Sequence, residues 1–345
     1  MQMKAKTANM PGALDSKVTT ASGPARSRRA STTELLRQYG TGAFLVLMAA
    51  FFELQNQNFL SLRNLRNILT DVSICGIIAV GMTFVIVAAG VDLSVGSVLA
   101  FAAMCGAWVV QALGLHGAGG WLVALPVSIL VGGAVGYLQG KATTLLNVPA
   151  FITTLGGLTI WRGATLLIND GGPIGGFDRS FRWWGVGAIL GVPTPVVIFL
   201  LVAAAGYVVQ RYTRYGRQIY AVGGNVEAAR LTGLNVKAVE TSVYVMVGLL
   251  SGLAGFLLSA RLGSAEAVAG VGYELRVIAS VVIGGASLAG GVGGVGGTII
   301  GALLVGVLSN GLVIMGINSY YQQIAIGAII VLAVAFDTYA KKRRQ

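Results

Sequence analysis

The stretch Val72-Ser73-Ile74-Cys75-Gly76-Ile77-Ile78-Ala79-Val80-Gly81-Met82-Thr83-Phe84-Val85-Ile86-Val87-Ala88-Ala89-Gly90 carries no charged residue. The hydrocarbon core of a bilayer is about 30 Å thick, and about 20 apolar residues cross it as a helix. The stretch has that length and that composition, so it reads as a membrane span. Working outward, comparable apolar runs recur at about 41–57, 94–113, 120–140, 150–168, 194–210, 238–260, 274–287, 297–316 and 320–339. The run at 274–287 is short and ends in glycine-rich sequence. The expected fold is all-α: a polytopic transmembrane helical bundle of about ten spans with interrupted helices.

The whole chain agrees with this reading. Of 345 residues, 55% are hydrophobic and only 10% charged, with a mean hydropathy of +0.78. Soluble domains carry about 25% charged residues. A soluble enzyme, a disordered regulator or a nucleic-acid binder could not cover its surface with so few. Glycine is abundant, 51 residues without a collagen period, which fits close helix packing and broken helices in a membrane. Residues 1–38 are polar and basic and read as a disordered cytoplasmic tail. They do not resemble a secretory signal. Residues 39–340 form the transmembrane domain, and 341–345 a basic cytoplasmic end.

The net charge of +12 is organised by position. Lys and Arg number seven in residues 1–40, one at Lys141, five between Arg211 and Lys237, and four at 341–344, leaving seven elsewhere. An even number of spans with basic ends puts both termini in the cytoplasm, under the positive-inside rule. Loops 141–149 and 211–237 then lie inside, and 169–193 outside. Arg63 and Arg66 fall on the wrong side, and 58–71 is read as an interfacial amphipathic segment. No basic groove with interleaved aromatics suggests nucleic acid. Cys75 and Cys105 sit in apolar runs and read as small buried hydrophobes. His116 has no partner spacing for a metal. Trp183 and Trp184 in the outer loop suit interfacial anchoring, or a docking surface for an external partner.

Several motifs carry meaning by their surroundings. Gly291, Gly293 and Gly296 satisfy Gly-x-Gly-x-x-Gly, but membrane spans flank them and no acid follows within 20 residues, so no dinucleotide site is expected. No Walker-type Gly-Lys-Ser/Thr occurs, so the chain has no nucleotide-hydrolysing phosphate loop of its own. Gly132/Gly136, Gly248/Gly252 and Gly297/Gly301 have the spacing of close-packed helix pairs. Gly90-Val91-Asp92-Leu93-Ser94-Val95-Gly96 interrupts an apolar stretch. There Asp92 or Ser94 either caps the next helix or lines a polar cavity, since ionisable groups near the membrane core tend to be functional. The glycine-dense segment 284–297 is a second interruption. Paired interruptions point to a transport path, and the glycine density points to positive φ or close backbone approach.

The loop Arg211–Glu240 holds a short capped helix. Asn225 is a helix N-cap, Glu227 complements the N-terminal dipole, and Gly233 is a C′ residue. This is either a connector or a rigid peg read by a cytoplasmic partner. The loop resembles the coupling segment of the ribose-type permeases of bacterial ABC sugar importers, in the branched-chain amino-acid/ribose permease superfamily. Val80-Gly81-Met82-Thr83-Phe84-Val85-Ile86 with Val91–Gly96 agrees, as do Gly272-Tyr273-Glu274-Leu275, Val281–Gly291, Gly297-Thr298 and Asn310-Gly311-Leu312. The resemblance spans roughly residues 40–340.

It implies a permease of the bacterial inner membrane that works with a second permease, expected as a homodimer. ABC ATPase subunits would bind the cytoplasmic face, and a periplasmic binding protein would deliver a monosaccharide. ATP and Mg would sit on the ATPase partner and no cofactor on this chain, which is then a transport component and not an enzyme. The ATPase-coupling residues would be Asn225, Glu227, Ala228, Ala229, Arg230 and Gly233. Polar candidates for the path are Asp92, Ser94, Thr153, Thr154 and Asn310, chosen on position alone. The alternative is an ion-coupled secondary transporter of a small polar solute. It would need intramembrane carboxylates or histidines, and only Asp92, Glu53, Glu274 and Asp337 come near to that. No Ser/His/Asp or Cys/His set suggests an enzyme.

Overall fold

A computed structural model describes residues 32–115 and 119–342. The expectations for the tail before residue 32, for His116 and for residues 343–345 lie outside the described residues. The chain divides into two units, Met1–Gln38 and Tyr39–Gln345. Of the first, the described part is the opening of helix α1 (Thr32–Gln55). The rest of the description concerns the second.

After α1 come α2 (Leu62–Val87), α3 (Val95–Ala112), α4 (Gly120–Leu145) and α5 (Ala150–Leu167). Strand β1 (Ile174–Gly175), helix α6 (Arg179–Val186) and strands β2 (Ala188–Ile189) and β3 (Val192–Pro193) lead into α7 (Thr194–Tyr212). Then follow α8 (Arg214–Gly224), α9 (Val226–Leu231), α10 (Val236–Leu262) and β4 (Ser264–Ala265). The chain continues with α11 (Tyr273–Ile283), α12 (Val295–Ile314) and α13 (Ser319–Lys342). Every apolar run expected from the sequence contains a helix. Among the described residues, α2, α3, α4, α7, α10 and α12 are long and apolar enough to cross a membrane. The polypeptide is an all-α, multi-pass membrane protein.

Helix α2 is the centre of the body. It is buried at every position from Val72 to Val87, as expected of a helix that is apolar all round. Its start departs from the sequence reading. The segment 58–71 is not a separate interfacial piece: α2 begins at Leu62 and runs without a break through Asp71. Ser61 caps it, accepting from the Asn64 N–H. Asp71 is tolerated inside the helix because the Arg261 and Arg276 guanidinium groups stand 3.4 and 3.8 Å from its carboxylate.

Small residues set the helix seams. A Cβ at Gly132 would collide with the Gly248 carbonyl, and one at Gly252 with the Ser128 carbonyl. Helices α4 and α10 therefore approach backbone to backbone. Gly297 and Gly301 seat α12 in the same way against Gly284, just past α11, and Ser280 within it.

Helix α11 has 11 residues, about 16 Å at 1.5 Å per residue, half of what a span needs. The segment before it, 263–272, is irregular apart from strand β4, which pairs antiparallel with β1. Its backbone is satisfied by protein. Arg162 Nη1 donates to the carbonyls of Ala267 and Ala269 at 2.7 and 2.9 Å, and Gly270 lies against Gly96 of α3. Irregular backbone within a membrane protein survives on such terms. On the other flank, α6 is an aromatic cap. Phe177 stacks on Phe181 at 4.0 Å, and Trp184 packs on Trp121 at 5.0 Å and on Phe256 at 6.2 Å. Trp184 is thus a packing residue, while Trp183 remains 40% exposed.

Candidate functional site

The break between α2 and α3 builds a buried polar node. The link 88–94 turns back on itself, with Ala89 at φ 64°. Asp92 is 2% exposed and Ser94 fully buried. Asp92 Oδ1 accepts from the Ser94 N–H at 2.8 Å and from the Ser94 hydroxyl at 2.6 Å. Gln139 of α4, itself 4% exposed, donates from Nε2 to Ser94 Oγ at 2.8 Å. The donors therefore run Gln139 to Ser94 to Asp92. Ser94 is the N-cap residue of α3 but makes no side-chain capping bond; its hydroxyl donates to Asp92 and its oxygen accepts from Gln139 instead. Thr154 of α5 closes the group, its hydroxyl 3.3 Å from the Val91 carbonyl and 2.9 Å from that of Ala150. Thr153 is beside it with a buried hydroxyl that makes no hydrogen bond.

Asn310 lies elsewhere. Its amide pairs reciprocally with that of Asn64, at 2.8 and 3.1 Å. Asn64 and Val87 are separated by most of α2, about 35 Å of helix. The structure thus brings Asp92, Ser94 and Thr154 together, adds Gln139 to them, and holds Asn310 at the far end of the same helix.

The second region is the block α8–α9. Asn225 caps α9, its Oδ1 accepting from the Ala228 N–H at 2.9 Å. Glu227 and Arg230 form an exposed pair at 2.8 Å. Ala229 is buried, and Gly233 has φ 81° just past the helix. Helix α8 starts at the Thr213 cap, whose hydroxyl accepts from Gly216 N at 3.1 Å. Its inner face, Ile219 and Val222, is part of the main core. Burial raises the phenol pKa of Tyr215, opposed by its hydrogen bond with Ser242. Burial also raises that of Tyr220, opposed by the Arg211 charge.

Both regions meet the glycine-dense link between α11 and α12. Gly291 N donates to the Val87 carbonyl at 2.9 Å, and the Tyr220 hydroxyl donates to the Gly293 carbonyl at 2.5 Å. Gly223 of α8 has no room for a Cβ against Val87. Gly290 and Gly291 have φ of 84° and 70° and pack on Ala89 and Gly224. The end of α2, the start of the Asp92 node, α8 and the glycine link thus form one contact.

Sequence reasoning missed Gln139, Asp71, Arg162, Arg261 and Arg276. The signal was present for the last four, since each is a charge inside or beside an apolar run. Gln139 had none. Among the described residues, no group of three or more His, Cys, Asp or Glu is placed to hold a metal ion.

Comparison with known proteins gives a consistent result. The family described as branched-chain amino acid transport system/permease component matches residues 64–334. The ribose import permease protein RbsC of Escherichia coli K12 is 45% identical over 307 residues, 88% of this chain and 94% of that protein. The D-allose transport system permease protein AlsC of the same organism is 39% identical over 306 residues, 88% and 93% of the two chains. The xylose transport system permease protein XylH of Haemophilus influenzae is 35% identical over 370 aligned positions, 87% and 96%. No solved structure matches the chain.

Proposed function

This chain belongs to the branched-chain amino acid transport system permease-component family, and on that premise we propose that it is the membrane subunit of an ATP-driven monosaccharide importer in a bacterial inner membrane. The observation that carries the substrate class is the 45% identity with a ribose import permease over nearly the whole length of both chains. The allose and xylose permeases among the relatives support sugars as a class.

In this reading the α8–α9 face and both termini are cytoplasmic, and α6 with the β2–β3 hairpin faces outward toward a sugar-binding protein. ATP and Mg are bound by ATPase subunits that dock on α9. The permease works as a pair of copies with the path between them. Coupling is mechanical. The exposed surface of α9, Glu227 and Arg230, receives the push, and its buried face is continuous with α8. Packed contacts from Gly223 to Val87 and from Tyr220 to Gly293 pass the movement to the α2–α3 link and the glycine link together. A close-packed contact of this kind shifts between discrete arrangements instead of deforming smoothly. The Asp92–Ser94–Gln139 node with Thr153 and Thr154 is then the polar wall whose exposure alternates. Neutral hydroxyls and amides suit a sugar that must be released as readily as it is bound.

The test is reconstitution. Vesicles containing this chain with its ATPase should take up ribose, allose or xylose only when binding protein, ATP and Mg are supplied. Uptake by the chain alone, driven by a proton or sodium gradient, would replace this reading with a secondary transporter.

A further inference from the structure

Where α7 ends, α8 passes and α12 begins, the protein forms an open pocket of about 370 Å³. Sites for small ligands occupy about 300–1,000 Å³. Its charged lining is one-sided: Arg211 and Arg217 contribute, and no Asp or Glu does. Both arginines are exposed and form no ion pair among the described residues.

Gln210 makes the pocket more than a basic surface. It is 8% exposed, and its Oε1 accepts from the Val295 N–H at 2.9 Å. That bond fixes the amide of this lining residue, whose Nε2 is left buried and without a hydrogen-bond partner among the described residues. A buried donor left unsatisfied is costly, and one in a pocket wall calls for an acceptor in the pocket. The 20-residue helix α12 starts at the same place. Its N-cap, Gly294, supplies no side-chain capping bond, and the space beside Gly296 is open. The Val295 N–H is taken by Gln210, and the positive end of the dipole, with Gly296 of the first turn, borders the same volume.

We propose that this pocket binds a phosphate group carried on an ester. Two guanidinium groups, a helix N-terminus and a buried amide N–H all donate, and the chemistry they share is that of a phosphate oxygen. The volume exceeds what a bare oxyanion fills, so an esterified phosphate fits better. Two sources present such a group at a membrane boundary: the headgroup of an anionic phospholipid, and a soluble phosphate ester. The exposed Leu201, Tyr207 and Val208 on α7 lead from the apolar surface to the pocket.

The test uses the purified full chain in neutral detergent and equilibrium binding of short-chain phosphatidylglycerol, with short-chain diacylglycerol as the phosphate-free control. Phosphatidylglycerol should bind and diacylglycerol should not. The double variant R211Q/R217Q, at exposed positions, should lose at least about tenfold in affinity, about 1.4 kcal/mol. Arg214→Gln, an exposed neighbour outside the lining, should change it by less than about twofold. Gln210→Glu keeps the acceptor for Val295 and replaces the donor with an oxygen, so in a variant that still elutes as folded protein it should also weaken binding. Displacement by glycerol phosphate at equal concentration identifies a soluble ester as the ligand, and failure to displace identifies the lipid headgroup. Equal affinity in wild type and R211Q/R217Q, or equal loss in Arg214→Gln, overturns the proposal.

Discussion

Asn64 and Asn310 form a side-chain pair that joins α2 to α12 through two amide bonds. Replacing one member leaves the other amide short of a partner, which costs about 1–3 kcal/mol. Asn310→Leu should lower stability by that amount. The double change Asn64→Leu/Asn310→Leu should cost clearly less than the sum of the two single changes, by about 0.5 kcal/mol or more. A double-mutant cycle from unfolding in detergent measures this, and strict additivity would show that the amides do not interact. At the same scale, Gln139→Leu removes the donor to Ser94, and transport should fall without loss of membrane insertion. Fully normal uptake by that variant would take the node out of the path. What the sequence disclosed here depended on chain breaks. Asp92 and Ser94 stand in a glycine-bounded interruption and were legible. Gln139 sits inside an apolar run 45 residues from its partner, and only the packing of α4 on α3 brings them together. Asp71 was hidden by its nearness to Arg63 and Arg66, which made the segment look interfacial. Its partners lie in α10 and α11, and no local pattern points to them.

Single elements were legible where their ends are marked by capping chemistry. Asn225 and Gly233 bound α9 in the sequence and also in the structure. Helix α8 was not delimited, although a Thr213 hydroxyl bond starts it and Asn225, the cap of α9, ends it. Exposed ion pairs contribute about 0–1 kcal/mol, and the Arg230 and Glu227 side chains are 61% and 71% exposed. Glu227→Lys combined with Arg230→Glu should therefore leave the fold and insertion intact while abolishing ATPase co-purification and transport. Retained transport would remove α9 from the coupling route. The glycine link makes a sharper case. Gly223→Leu drives a side chain into the Val87 carbonyl, and Gly291→Leu adds one at φ 70°. Gly163→Ala in α5 meets nothing within 4 Å. The first two should disrupt folding or transport, and the third should be silent in the same uptake assay. Not every loop-side glycine is slack. Gly120 opens α4, where a Cβ would stand 2.7 Å from the Leu115 carbonyl.

Across the whole molecule, the proposed orientation rests on the excess of Lys and Arg on one set of loops. Leu190 is fully exposed in the β2–β3 turn, and Leu231 is 88% exposed at the end of α9. In intact cells, Leu190→Cys should react with an impermeant thiol reagent and Leu231→Cys only after permeabilisation. The opposite pattern would invert the topology. The shortness of α11 bears on how the chain is made. Insertion machinery accepts a segment by its apolar length, and 11 residues are too few to be retained in lipid unaided. The carbonyls ahead of α11 depend on Arg162 in α5, and its own flank depends on α12, which is synthesised later. Assembly of this region must then follow, not accompany, the emergence of α11 from the ribosome. In a chain ended and released after Gly297, a cysteine placed in α11 should react with a water-soluble thiol reagent, and in one released after Ile314 the same cysteine should be protected.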